Sequence, residues 1–172
     1  AFTTIAKSKI PTIALAHGFC IGGATSLVSA CDIRLATKDA KFSIGETKLG
    51  LVADVGVIQR MPKIVSSGDM NELALTGRIF DGEHAEKIRF VSKVYENSDD
   101  LFEAGEKLAN EISSNSKRIV QATKEALEKS SNLTVDQGLE YAKLWSTSFL
   151  VSEDLREGVM AFLEKRDPKF NE

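Results

Sequence analysis

The order of residue types over residues 11–36, PTIALAHGFCIGGATSLVSACDIRLA, limits the chain to few folds. Pro11 and the His17-Gly18 pair bound a short apolar run with a β-branched pair, which reads as a buried strand over residues 11–16. Residues 22–31 are then almost all small or apolar, as a helix packed tightly against a sheet requires, and Gly22-Gly23 sits at the N-terminal end of that helix. Residues 33–36 and 41–44 alternate in character and read as strands around the turn Thr37-Lys38-Asp39-Ala40. Strand, helix, strand is a βαβ signal, so the chain is predicted to be α/β.

Downstream, residues 45–56 carry Gly45, Gly50 and Gly56 with little periodicity and read as a loop leading to a short helix that ends near Pro62. Helices are predicted over 67–76, closed by Gly77, and over 82–87, capped by Asp81, with a strand over 90–95. The residues before Pro11 read as running directly into the first strand. At Asn97 the character changes. Amphipathic helices are predicted from Ser98, then over 117–130, 135–150 and 152–166, with Asp167-Pro168 ending regular structure. Residues 1–97 thus read as an α/β part and residues 98–172 as a helical part. The apolar stretch 144–151, LWSTSFLV, fits core or interface equally.

At 172 residues the expectation is one domain. Lys and Arg number 22 against 25 Asp and Glu, a net charge of −3, and the broad positive field of a nucleic-acid-binding protein is absent. No apolar stretch approaches the roughly 20 residues that span a bilayer. No nucleic-acid or membrane partner is therefore predicted. Cys20, Cys31, His17 and His84 are too few for a disulfide framework or a zinc site, and reducing surroundings are the natural reading. His17 reads as a structural histidine, the two cysteines as small core fillers, and Asp32 with Arg34 as a structural pair.

Two places can carry chemistry. Gly22-Gly23 at a helix start lets backbone N–H groups approach an oxyanion or a phosphate, and fits a close-packed βαβ turn as well. Glu46 and Asp54 are carboxylates in a glycine-rich loop among Leu49, Leu51, Val52, Ala53 and Val55. A carboxyl in apolar company is favoured in its neutral form and can exchange protons near neutral pH. The alternatives are a solvated loop residue for Glu46 and a helix N-cap for Asp54.

The strand-HG-x-x-x-GG-helix unit, the ACDIR-L-A strand, the FSIGE loop, the QR-x-P helix and the AFLEKR-x-P-x-F tail together resemble the crotonase (enoyl-CoA hydratase/isomerase) superfamily over nearly the whole chain. The resemblance implies a ββα spiral core and a helical C-terminal region that builds homotrimers or homohexamers. It also implies acyl-CoA thioester substrates whose carbonyl oxygen is held by two backbone N–H groups as it becomes enolate-like. One donor falls on Gly23, beside Gly22. The other is expected upstream of Ala1, so the chain is expected to lack an N-terminal part of the family's core.

Hydratases of the superfamily carry one glutamate at the position of Ser26 and another at Glu46; Ser26 therefore argues against efficient hydration. The segment GLVADVGVIQRMPKIV resembles the delta(3,5)-delta(2,4)-dienoyl-CoA isomerases, whose two proton-transferring acids fall on Glu46 and Asp54. Those isomerases usually place an aspartate at Ser26 to orient the loop acid; a serine there can still hydrogen-bond Glu46 and line the substrate site. The implied reaction shifts a 3,5-dienoyl thioester to the 2,4-isomer in fatty-acid β-oxidation, with no metal or other cofactor, in the mitochondrion or the peroxisome. The alternatives are an enoyl-CoA isomerase or hydratase-like enzyme using Glu46 alone, and a non-catalytic acyl-CoA-binding or assembly subunit.

Overall fold

The computed structural model describes residues 2–170, which form two units. One comprises the stretch up to Ser8 together with residues 12–107; the other comprises Lys9–Pro11 and residues from Leu108 onward.

The first unit opens with helix α1 (Phe2–Ala6), where the sequence suggests a lead into a strand. Strands β1 (Ile13–Ala16) and β2 (Phe19–Ile21) and helix α2 (Gly23–Ser29) follow, then β3 (Ile33–Thr37) and β4 (Lys41–Ser43). A 3₁₀ turn at Gly45–Leu49 leads to α3 (Val57–Arg60), a second 3₁₀ turn at Met61–Lys63, α4 (Ser67–Thr76), β5 (Phe80–Asp81), α5 (Gly82–Lys87) and β6 (Lys93–Tyr95).

The expected βαβ unit is present, because β1 pairs parallel with β3 in the register Ile13↔Ile33, and β6 joins β3 on its other side. β3 and β4 nevertheless do not form one ladder about their turn. β4 belongs to a second sheet, parallel to β2 and antiparallel to β5. Lys41 N–H donates to the Gly18 carbonyl at 2.7 Å and draws β4 to β2. At the front of the first sheet, Asp32 accepts from the Thr12 N–H (2.7 Å) and hydroxyl (2.9 Å). Arg34 donates to the carbonyls of Phe90 (2.6 Å) and Cys31 (2.7 Å), tying β3 to the turn before β6.

The core of this unit centres on Phe42, wholly buried, stacked on Phe80 at 5.5 Å and met edge-on by Phe90 at 5.5 Å. Ile44, Val57, Met61, Leu73 and Ala85 pack in the same cluster. The run Phe90 to Ser92, expected as strand, is a turn instead. Phe90 N–H and Val91 N–H both donate to the Ala85 carbonyl, which turns Phe90 into the core before the three-residue strand begins.

Helix α6 (Ser98–Ser113) continues from the first unit into the second, where α7 (Lys117–Ser130), α8 (Val135–Phe149) and α9 (Glu153–Glu164) follow. Ser116, Thr134 and Ser152 cap the last three helices, and Thr134 with Gln137 forms a reciprocal capping box. Tyr141 donates to Glu125 at 2.8 Å and Ser116 to Asp154 at 2.6 Å, linking α7 to α8 and α9. Arg166 grips Glu157 with two nitrogens at 2.6 and 3.1 Å, and Lys169 N–H adds a third donor at 2.7 Å. These donors, Arg166 first and the Lys169 backbone second, hold the Glu157 carboxyl down at about 2.

Candidate active site

Parallel pairing of β2 with β4 builds the site. Ile21 stands opposite Ser43, so the residues that follow each strand emerge side by side at the same edge: Gly22-Gly23 from β2, Gly45-Glu46 from β4. The carboxyl ends of parallel strands are where such folds bind ligands. Gly22 N–H donates to the Ser43 carbonyl at 2.9 Å. Gly22 has φ 57° and ψ −114°, a conformation that an L side chain adopts only with strain. A Cβ there would lie 3.3 Å from Glu46 Oε1, so the missing side chain is what lets the carboxylate rest against the turn.

Thr25, fully buried, locks the arrangement. Its hydroxyl donates to the Cys20 carbonyl and lies 3.0 Å from that of Ser43, fastening α2 to both strands. Gly23 is the first residue of α2; its N–H has no intrahelical partner and carries the positive end of the helix. Gly23 is exposed, and nothing lies within 4 Å of where its Cβ would be.

Glu46 sits in the first 3₁₀ turn, which Thr47 ties to α4 through the Ala74 carbonyl at 2.7 Å, with Ser43 Oγ on the Gly77 carbonyl at 3.0 Å. The residue is half-buried, and its Oε2 is shielded from solvent without a hydrogen-bond partner among the described residues. Ser26 is fully buried, and its Oγ shares that condition, as does Thr37 Oγ1 in β3. The expected hydrogen bond from Ser26 to Glu46 is therefore not made. Ser26 lies one turn inside α2, its N–H donating to the Gly22 carbonyl at 3.0 Å and its own carbonyl accepting from Ser29 Oγ at 2.7 Å.

Asp54 lies in the exposed part of the loop, and no described group hydrogen-bonds its carboxylate. It does not cap α3, whose N-cap is Gly56. The apolar neighbours expected to surround the loop acids are themselves outside: Leu49, Leu51, Val52 and Val55 are exposed, and only Ala53 turns inward. What stands beside the Glu46 carboxylate is the Gly22 turn, not the apolar side chains of its own loop.

The remaining candidates carry no visible chemistry. His17 is exposed and meets Phe102 edge-on at 5.7 Å. Cys20 lies in the core, where burial pushes its thiol pKa up, and Cys31 is half-buried. Among the described residues no cluster of His, Cys, Asp and Glu could hold a metal ion, and no helix is long and apolar enough to cross a membrane. Thr25 was not apparent as a site residue from sequence; its one signal is a β-branched hydroxyl inside an otherwise small-residue helix.

Residues 1–172 match the enoyl-CoA hydratase/isomerase family. The mitochondrial delta(3,5)-delta(2,4)-dienoyl-CoA isomerase of Dictyostelium discoideum is 50% identical over 166 residues, which are 96% of this chain and 57% of that protein. The peroxisomal delta(3,5)-delta(2,4)-dienoyl-CoA isomerase of Arabidopsis thaliana is 43% identical over 170 residues, 99% of this chain and 61% of that protein. In structure, an enoyl-CoA hydratase of Bacillus anthracis superposes with a TM-score of 0.92 at 30% identity, over 98% of this chain and 65% of that one. The chain accordingly spans between half and two-thirds of the length of these proteins.

Proposed function

The chain belongs to the enoyl-CoA hydratase/isomerase family and has its α/β fold, and on that footing we propose that the full-length protein isomerises 3,5-dienoyl-CoA thioesters to the 2,4-isomers in fatty-acid β-oxidation. The observation that carries the reading is the Glu46 carboxylate against Gly22, beside the N–H of Gly23 at the start of α2, which has no intrahelical partner. One carboxylate removes a proton from the carbon next to the thioester carbonyl. The electrons spread along the conjugated system onto the thioester oxygen, which Gly23 N–H stabilises as charge develops, an effect worth several kcal/mol in preorganised sites. The other carboxylate returns a proton at the far end, so the substrate neither gains nor loses atoms. Glu46 and Asp54 take these two parts, with Gly22 and Ser26 beneath the substrate.

Residues 1–97 are read as core and residues 98–172 as the region that assembles homotrimers or homohexamers. Exposed Leu144, Leu150, Val151 and Phe162 favour that role. Mitochondrial and peroxisomal relatives support one or the other of those compartments.

A second reading uses Glu46 alone, as an enoyl-CoA isomerase or hydratase-like enzyme, and the contrast between sheltered Glu46 and exposed Asp54 favours it. One experiment separates the two. The full-length protein is given a 3,5-dienoyl-CoA and the rise of conjugated 2,4-dienoyl absorbance is followed. Glu46→Gln should abolish turnover, and Asp54→Asn should slow it by about 10² or more, the usual span for a general acid or base. Unchanged dienoyl turnover in Asp54→Asn would leave only the second reading standing.

A further inference from the structure

The segment that carries Asp54 is held by very little. Leu51 N–H donates to the Glu46 carbonyl at 3.0 Å, and the next backbone-to-backbone bonds are those of Gln59 and Arg60 to the Gly56 carbonyl at 3.3 and 3.0 Å. Between them, among the described residues, the one hydrogen bond on residues 52–55 comes from Arg60, whose Nη1 donates to the Val55 carbonyl at 3.2 Å. The same guanidinium reaches the other way with Nη2, 3.2 Å from Thr3 Oγ1 in α1. It lies close against Gly56: a Cβ there, where φ is 112°, would stand 2.0 Å from Nη1. A glycine suits this φ and leaves room for the guanidinium, whose planar fork spans both anchors at once.

We infer that Arg60 is a positioning residue for the dienoyl reaction, a strap between α1 and the loop that fixes where Asp54 stands. The inference rests on the assignment of Asp54 as one of the two proton-transferring acids. Loss of the strap leaves residues 52–55 to move on their side chains alone. Proton transfer is steep in distance, and a displacement of about 1 Å can cost as much as 10²-fold in rate. Glu46, held by β4 and by Thr47 on α4, is anchored independently of it.

The test is a double-mutant cycle in the full-length protein, read as kcat and KM on a 3,5-dienoyl-CoA. Arg60→Ala is expected to lower kcat about tenfold with KM nearly unchanged, and to have little further effect in an Asp54→Asn background, since residues acting through one another are not additive. Arg60→Lys, which keeps the charge but loses the fork, should behave like Arg60→Ala. Thr3→Ala, at an exposed position, removes one anchor without burying or baring any core, so it reads the same coupling should Arg60 variants fold poorly; it should lower kcat only where Asp54 is intact. Equal losses in both backgrounds, or full activity in Arg60→Ala, would overturn the inference while leaving Asp54 in its role. An inactive strap effect together with a silent Asp54→Asn would overturn that role and the inference with it.

Discussion

The two units bury their apolar residues very differently. In the first, Phe42, Phe90, Ile44, Met61 and Leu73 are closed off from solvent, and the sheets exist because that burial holds their short strands together. In the second, only Ser116, Ala122 and Ala161 among the described residues are buried, while Leu139, Leu144, Leu150, Phe162 and Leu163 face outward. Its helices rest on polar devices instead: the caps at Ser116, Thr134 and Ser152, the Tyr141–Glu125 bond between α8 and α7 and the Arg166 grip on Glu157. One unit is made by a shared apolar core, the other by helix caps and by polar bonds between its helices.

That contrast can be broken by substitution. Phe42→Ala should cost the full-length protein about 3–5 kcal/mol, the range for truncating a buried phenylalanine, measured by urea unfolding. A loss under 1 kcal/mol would mean that the first unit is not organised around this ring. Thr134→Ala removes the capping box of α8 and should cost about 1 kcal/mol, seen as lost helical circular dichroism on mild heating. An effect as large as that of Phe42→Ala would show that the second unit is as cooperative as the first.

The smallest change concerns acid. The Glu157 carboxyl is held at about 2 in the folded chain against its ordinary 4.5, so the folded state binds this proton less readily than the unfolded one. The stabilisation is fully present above about 4.5 and is lost as pH falls from there toward 2. In thermal melts across that window, the wild-type protein should lose stability more steeply than Glu157→Gln. Parallel curves would show that the Arg166 grip contributes nothing in solution.

The same division explains what could be read in advance. Helices 67–76, 82–87 and 117–130 carry their starts and stops in neighbouring residues, Gly77 and Asp81 among them, and the structure reproduces those spans. Strands β2 and β5 have three and two residues, too few for any alternation to register, and they form only because β4 lies between them. The strand expected from Phe90 lost its first half to the core, since an apolar residue in a turn and one in a strand look alike in sequence. In the site, Glu46 and Gly22-Gly23 were each legible as candidates. Their proximity was implied by the family resemblance and not by the residues themselves, because it depends on the register Ile21↔Ser43 between residues 22 positions apart. Asp54 looked like a residue in apolar surroundings only because the direction in which Leu51, Val52 and Val55 point is decided by the fold.

The parallel pairing of β2 and β4 has a consequence for how such a protein can change over time. Gly22 follows β2 directly and Glu46 lies in the turn that begins two residues after β4, so their separation is set by the pairing of those strands and not by the composition of the loop that runs on from Leu49. Residues 50–56 contribute almost nothing to that ladder and little to the core. Mutation can therefore redraw the loop, moving, replacing or deleting Asp54, while the Glu46 carboxylate and the turn beside it stay in place. The chain thus separates a part of its candidate site fixed by the sheet from a loop open to revision, where a change of side chain leaves the core untouched.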